Sequence, residues 1–152
     1  TKVDVERHDL PSGTMVVVAH NGYEARFGVV HERRITLNRD GKLLEGTDRL
    51  HAAGAGGPIE TRAVALRFHI HPNVRLKRVR EGRAVLCILP NGRRWLFETT
   101  AGQASVEESI YFAAPDGPRS CAQIVVRGET GAGMVVEWRF CHVARKPPRN
   151  EA

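Results

Sequence analysis

Apolar side chains recur at every second position through most of this sequence, and turn residues break the rhythm about every ten residues. A period of two sends alternate side chains to opposite faces of an extended chain. Such a pattern can bury its apolar half only inside a sheet. The segments that carry it are Val3–His8, Thr14–His20, Gly28–Leu37, Lys42–Arg49, Val64–His71, Val74–Val79, Ala84–Leu89, Arg93–Glu98, Ser105–Tyr111, Ala122–Arg127 and Met134–His142. The breaks have turn chemistry. Pro11-Ser12-Gly13 follows the first segment, Asn38-Arg39-Asp40-Gly41 reads as a hairpin, and Pro90-Asn91-Gly92 reads as another. No long helical period competes. The expectation is an all-β fold, an antiparallel β-sandwich of two packed sheets and about ten short strands.

At 152 residues the chain has the size of one domain. Residues 1–144 are expected to form the sandwich, and 145–152, with Pro147-Pro148, a disordered tail. The glycine-rich stretch Ala52–Pro58 reads as a mobile loop between strands. The sequence starts at Thr1 and runs directly into the strand pattern, which leads us to expect a piece of a larger protein. No apolar run reaches the ~18 residues of a membrane helix. Trp95 alternates with Phe97 and Trp138 with Phe140, placing both pairs in the core, with exposed sugar-stacking platforms as the alternative. Cys87, Cys121 and Cys141 lack metal-site spacing and read as free thiols in apolar settings.

Charge is concentrated. Between Arg75 and Arg94 stand seven basic residues and one acid, a surplus equal to the whole net charge of +6. Arginine dominates, with only four lysines among 23 basic residues. Its planar fork suits carboxylate, sulfate or phosphate. Arg78, Arg80, Arg93 and Arg94 are therefore candidates for an anionic polysaccharide. Arg33, which shares a strand face with His31, would extend an outward anion-binding patch.

Histidine supplies the other candidates. His69 and His71 are two residues apart and face the same way, half of a zinc site. His31 or His20 would have to provide a third ligand. The alternative is a pair of solvent-facing or hydrogen-bonded imidazoles. No cofactor is otherwise expected. His20 and Tyr23 flank an Asn-Gly turn and form either an acid–base pair or a turn anchor. Glu107 and Glu108 are adjacent on a strand, so they face opposite ways and cannot jointly flank one glycosidic bond. Asp48 interrupts an apolar pattern near a strand end.

Taken in order, His20-Asn21-Gly22-Tyr23, Arg26-Phe27-Gly28, His31 with Arg33, Asp40-Gly41, Gly46 with Asp48 and Leu50, Arg67-Phe68-His69-Ile70-His71-Pro72, Leu89-Pro90-Asn91-Gly92 with Trp95 and Phe97, Glu107-Glu108-Ser109 with Tyr111, Arg119, Gln123-Ile124-Val125 and Trp138 resemble the later part of the heparinase II/III-like domain of alphaproteobacterial proteins. The resemblance implies a β-sandwich joined to an amino-terminal α/α toroid. It also implies a parent that cleaves uronic-acid-containing polysaccharides by β-elimination. In that family the catalytic tyrosine and a histidine or asparagine lie in the toroid, and an H-x-H-x-D motif and a further histidine lie early in the sandwich. Both regions would precede Thr1, so no catalytic residue is carried over. His69-Ile70-His71 lacks the following aspartate, and Thr47 stands where the family more often has an acid.

The leading expectation is a non-catalytic sandwich domain whose partners are the toroid and acidic polysaccharide. A stand-alone anionic-carbohydrate-binding module is the alternative. A small metal enzyme at His69 and His71 comes third. A nucleic-acid binder comes fourth, because a chain of this charge attracts polyanions without specificity.

Overall fold

The computed structural model describes residues 1–54, 59–131 and 133–144. Every predicted segment overlaps one strand: β1 Val3–Leu10, β2 Gly13–His20, β3 Val29–Asn38, β4 Leu43–Ala52, β5 Ala63–Ile70, β6 Arg75–Val79, β7 Ala84–Ile88, β8 Arg94–Thr99, β9 Ser105–Tyr111, β10 Arg119–Glu129 and β11 Met134–Val143. The predicted tail, and Ala55–Pro58 of the glycine-rich loop, lie outside the described residues. Two short helical turns had no counterpart in the sequence reading: α1, Glu24–Phe27, and a 3-10 turn at Arg80–Gly82. They are too short to show a helical period. Among the described residues no helix is long and apolar enough to cross a membrane.

Among the described residues the strands form two antiparallel sheets. The large one has eight strands in the order β1-β2-β3-β4-β11-β8-β7-β6, and the small one has three, β5-β10-β9. The expected hairpins close adjacent strands. Gly41 (φ 65°) ends the β3–β4 turn and Gly92 (φ 79°) the β7–β8 turn. Both are left-handed positions that cost a side-chain-bearing residue about 1 kcal/mol.

The core lies between the sheets. Val85, Phe97, Ile124 and Val126 are wholly buried, joined by Leu50, Leu66, Val136 and Trp138. The aromatics predicted as core interlock: Phe68 meets Phe97 at 5.0 Å and Trp138 at 4.9 Å between ring centroids. Burial of side chains of this size stabilises by roughly 2–3 kcal/mol each. Gly46 makes room for this packing. A Cβ placed there would stand 2.1 Å from the Trp138 ring, well inside contact distance. The cysteines are free, and burial pushes the Cys87 thiol up to about 11.

Three strands cannot cover eight. The small sheet lies over the β4-to-β6 side, and the β1–β2–β3 side extends past it. All of β1 is exposed and all of β2 half-buried. On the face of this overhang that continues the inner surface stand Val3 and Val5 of β1, Val16 and Val18 of β2, and Ile35 and Leu37 of β3. Val3, Val5 and Leu37 are 56%, 63% and 45% exposed.

Candidate functional site

The most heavily bonded polar cluster sits where the overhang meets the covered core. Strand alternation sends His31, Arg33, Asp48 and Trp138 to the inner face, in register across β3, β4 and β11. Asp48 is 1% exposed. Its carboxylate takes four hydrogen bonds. His31 Nε2 and Arg33 Nε donate to Oδ1 at 2.6 and 2.7 Å, while Arg33 Nη2 and Trp138 Nε1 donate to Oδ2 at 3.0 and 2.7 Å. Burial opposes ionisation of Asp48. The hydrogen bonds from His31 and Arg33, the arginine charge and the Trp138 N–H outweigh it and hold the carboxyl below its ordinary range. The Arg33 guanidinium is also stacked near Phe68 and Trp138, at 5.2 and 5.7 Å from their ring centres.

The network continues outward through the second imidazole. His20 Nε2 lies 3.1 Å from His31 Nδ1, and the Gly22 amide donates to His20 Nδ1 at 3.2 Å. Those contacts fix the protons. An amide can only donate, so His20 Nδ1 carries a lone pair and Nε2 carries the hydrogen. His20 then donates to His31 Nδ1, and His31 donates from Nε2 to Asp48. Both rings are neutral in this arrangement. Burial, then the nearness of His31, lowers the pKa of His20. The Tyr23 ring stands 5.2 Å from that of His20. The chain therefore ends on a backbone amide, and no ring nitrogen of His20 is left for a substrate.

Beside the cluster lies a groove of about 420 Å³. Tyr23, Phe27 and His31 form one side, and six consecutive residues, Arg62 to Arg67, form the other. A second, wider depression of about 870 Å³ lies on the outer face of the large sheet, with Arg34, Arg80, Arg83 and Arg139 around Glu98. Glu98 accepts from Arg80 and from Arg139 Nη2, the latter at 2.8 Å.

The sequence-derived candidates separate in space. Arg33 points inward and spends two nitrogens on Asp48, the reverse of the expected outward patch, because β3 turns that side chain toward the core. Arg80 is exposed in the wide depression, and the half-buried Arg94 shares that outer face. Arg78 is exposed on edge strand β6, and Arg93 on the β7–β8 turn. His69 alternates with the core residues Phe68 and Ile70, so it faces out from the small sheet, whereas His31 faces into the sandwich. Neither His31 nor His20 can therefore be the third ligand proposed for His69 and His71. His69 Nδ1 lies 2.9 Å from the Ser109 hydroxyl, and His71 Nδ1 accepts from the Asn73 amide at 3.2 Å. Among the described residues no three His, Cys, Asp or Glu side chains converge as for a metal ion. Asp48, the centre of the polar cluster, is what the sequence reading undervalued. The available signal was its phase, since it alternates with Gly46 and Leu50 on the inward side.

The fold recurs in solved structures. Heparan sulfate lyase HepC from Pedobacter heparinus superposes with a TM-score of 0.76 at 10% identity, over 98% of this chain and 23% of the lyase. A heparinase III structure gives 0.72 at 13% identity, over 97% of this chain and 22% of that one. In sequence, FtsZ-localized protein C of Caulobacter vibrioides is 29% identical over 146 residues, which cover 91% of this chain and 25% of that protein. The chain thus spans about a quarter of the length of these relatives. Residues 1–147 match the family described as "Heparinase II/III-like, C-terminal", and the chain belongs to that family.

Proposed function

We propose that this chain is a supporting β-sandwich of a heparinase II/III-like protein, non-catalytic by itself, that works beside an α/α toroid and lends arginines to an acidic polysaccharide. The observation that carries the reading is the saturation of the Asp48 cluster. A general base needs a free lone pair within reach of a substrate proton. Asp48 is enclosed by four donors, and the histidine chain behind it ends on the Gly22 amide. This is the chemistry of a structural clamp that ties the overhang to the core. The exposed arginines around the wide depression support the polysaccharide part, because guanidinium forks match carboxylate and sulfate. The test is an elimination assay on the chain alone, following ultraviolet absorbance of the unsaturated uronate across a panel of acidic polysaccharides. No product is expected. Turnover that is lost in His20→Ala would place chemistry in this domain and overturn the reading.

A second reading has one observation in its favour. Identity to FtsZ-localized protein C, at 29%, exceeds the 10% and 13% to the two lyase structures. On that reading the sandwich is a protein-recruitment module. Co-sedimentation with FtsZ polymers distinguishes the two, since a glycan-facing support domain stays in the supernatant.

A further inference from the structure

The free edge of β5 and the bare face of the overhang lie side by side, and together they describe a missing strand. Thr130 N donates to Arg62 O at 2.9 Å, which makes these two residues a hydrogen-bonded pair at the start of the β5–β10 ladder. Antiparallel pairing alternates. Val64, Leu66 and Phe68 therefore direct their amides and carbonyls at β10, through partners Gly128, Val126 and Ile124. Ala63, Ala65, Arg67 and His69 direct theirs the other way. β5 is the last strand of its sheet, and no further strand pairs with it among the described residues. This outward row of backbone groups opens on the 420 Å³ groove, whose lining includes every residue from Arg62 to Arg67.

Strands in a sheet stand about 4.8 Å apart, and stacked sheets about 10 Å. A strand added to β5 would lie above β3 and β2, where Val16 and Val18 are only half-buried and, among the described residues, no further layer covers them. Its inward side chains would be apolar. Its outward side chains would neighbour Arg67 on β5, with Arg62 and Arg26 at the groove rim, both over the Phe27 ring at 5.5 and 5.2 Å. Two of these arginines already have acid partners, Arg62 in Glu60 and Arg67 in Glu107 of β9, which Arg127 also meets, while Asn21 donates to Glu24. The four arginines outnumber the three acids, leaving one positive charge in excess. Cross-strand pairing favours opposite charge.

We infer that the β5 edge accepts an added strand, an extended segment with apolar residues inward and acidic residues outward, contributed by the remainder of the larger heparinase-like polypeptide. The inference rests on the supporting-domain reading above. The source follows from the relatives, in which this domain is only 22–25% of the chain.

Amide hydrogen exchange on the chain tests it, with a short peptide of alternating valine and glutamate as probe and a valine–lysine peptide of the same length as control. Alone, the amides of Ala63, Ala65 and Arg67 exchange freely while those of Val64 and Leu66 are protected. At a glutamate-peptide concentration about ten times Kd, exchange at the three free amides slows about tenfold. The lysine peptide leaves them unchanged. Ala65→Pro removes an outward N–H without touching the β10 ladder, so the fold is kept and the slowing is lost. Absence of slowing with the glutamate peptide at millimolar concentration, or equal slowing with both peptides, overturns the inference. So does slowing that rises with protein concentration and no peptide, because the occupant is then a second copy. Elimination activity in the chain alone would remove the supporting-domain reading yet leave the exchange pattern standing, so the two failures are distinguishable.

Discussion

An aspartate buried as deeply as Asp48 is tolerable only when its charge is matched and its lone pairs are filled. Four donors do this, and two of them belong to one arginine, so exchanging the carboxylate for an amide sets an NH2 group against N–H donors and leaves Arg33 unneutralised. Asp48→Asn is expected to cost about 3–5 kcal/mol, read as a fall in the urea midpoint at constant slope. His20 carries a different, pH-dependent share. Its pKa is lowered in the folded state, so the unfolded chain binds protons first as pH falls. Stability should therefore be full above the ordinary histidine range and decline as pH drops below about 6.5. A urea midpoint that falls between about pH 7.5 and 5.5, and falls less in His20→Gln, is the expected pair of results. The phase of Asp48 was legible in the sequence. Its partners were not, because His31 reaches it only through a strand register, and His20 reaches His31 only after the chain has turned through α1.

At the scale of elements, β4 and β11 are shaped to one another at a single point. Gly46 faces Trp138 across the pair, and the indole occupies the volume a side chain would need. The same indole must reach Asp48, so it cannot swing away without leaving the carboxylate short of a donor. Gly46→Ala should cost about 2–3 kcal/mol. Near-ultraviolet circular dichroism should show the displaced tryptophan, and an unchanged spectrum with an unchanged urea midpoint would refute the packing argument. All eleven strands could be read from period two, because the pattern is local. The helical turn at Glu24–Phe27 could not, since four residues hold barely one turn. The inward aim of Arg33 also escaped. Parity along β3 says only that it shares a face with His31, and which face is inward depends on the sheet that packs above.

Over the whole molecule, the surplus of basic residues predicts heparin binding that weakens steeply with salt, through screening and counterion release. Arg80→Glu should lower heparin affinity more than Arg78→Glu, a change of equal charge, because Arg80 stands with Arg34, Arg83 and Arg139 on the outer face while Arg78 lies on the opposite side of the sheet. Heparin-column elution at stepped salt measures this, and equal shifts would show that net charge alone governs binding. The mismatch of eight strands against three has a consequence for cooperativity. One half of the molecule is two layers thick, and the other is a single layer held by its own ladder and by the His20–His31–Asp48 clamp. Such a body need not melt as one unit. With the clamp loosened by acid, the single-layer half has its own melting point, below that of the sandwich. Heat capacity traces should then split into two transitions at low pH and merge into one at neutral pH.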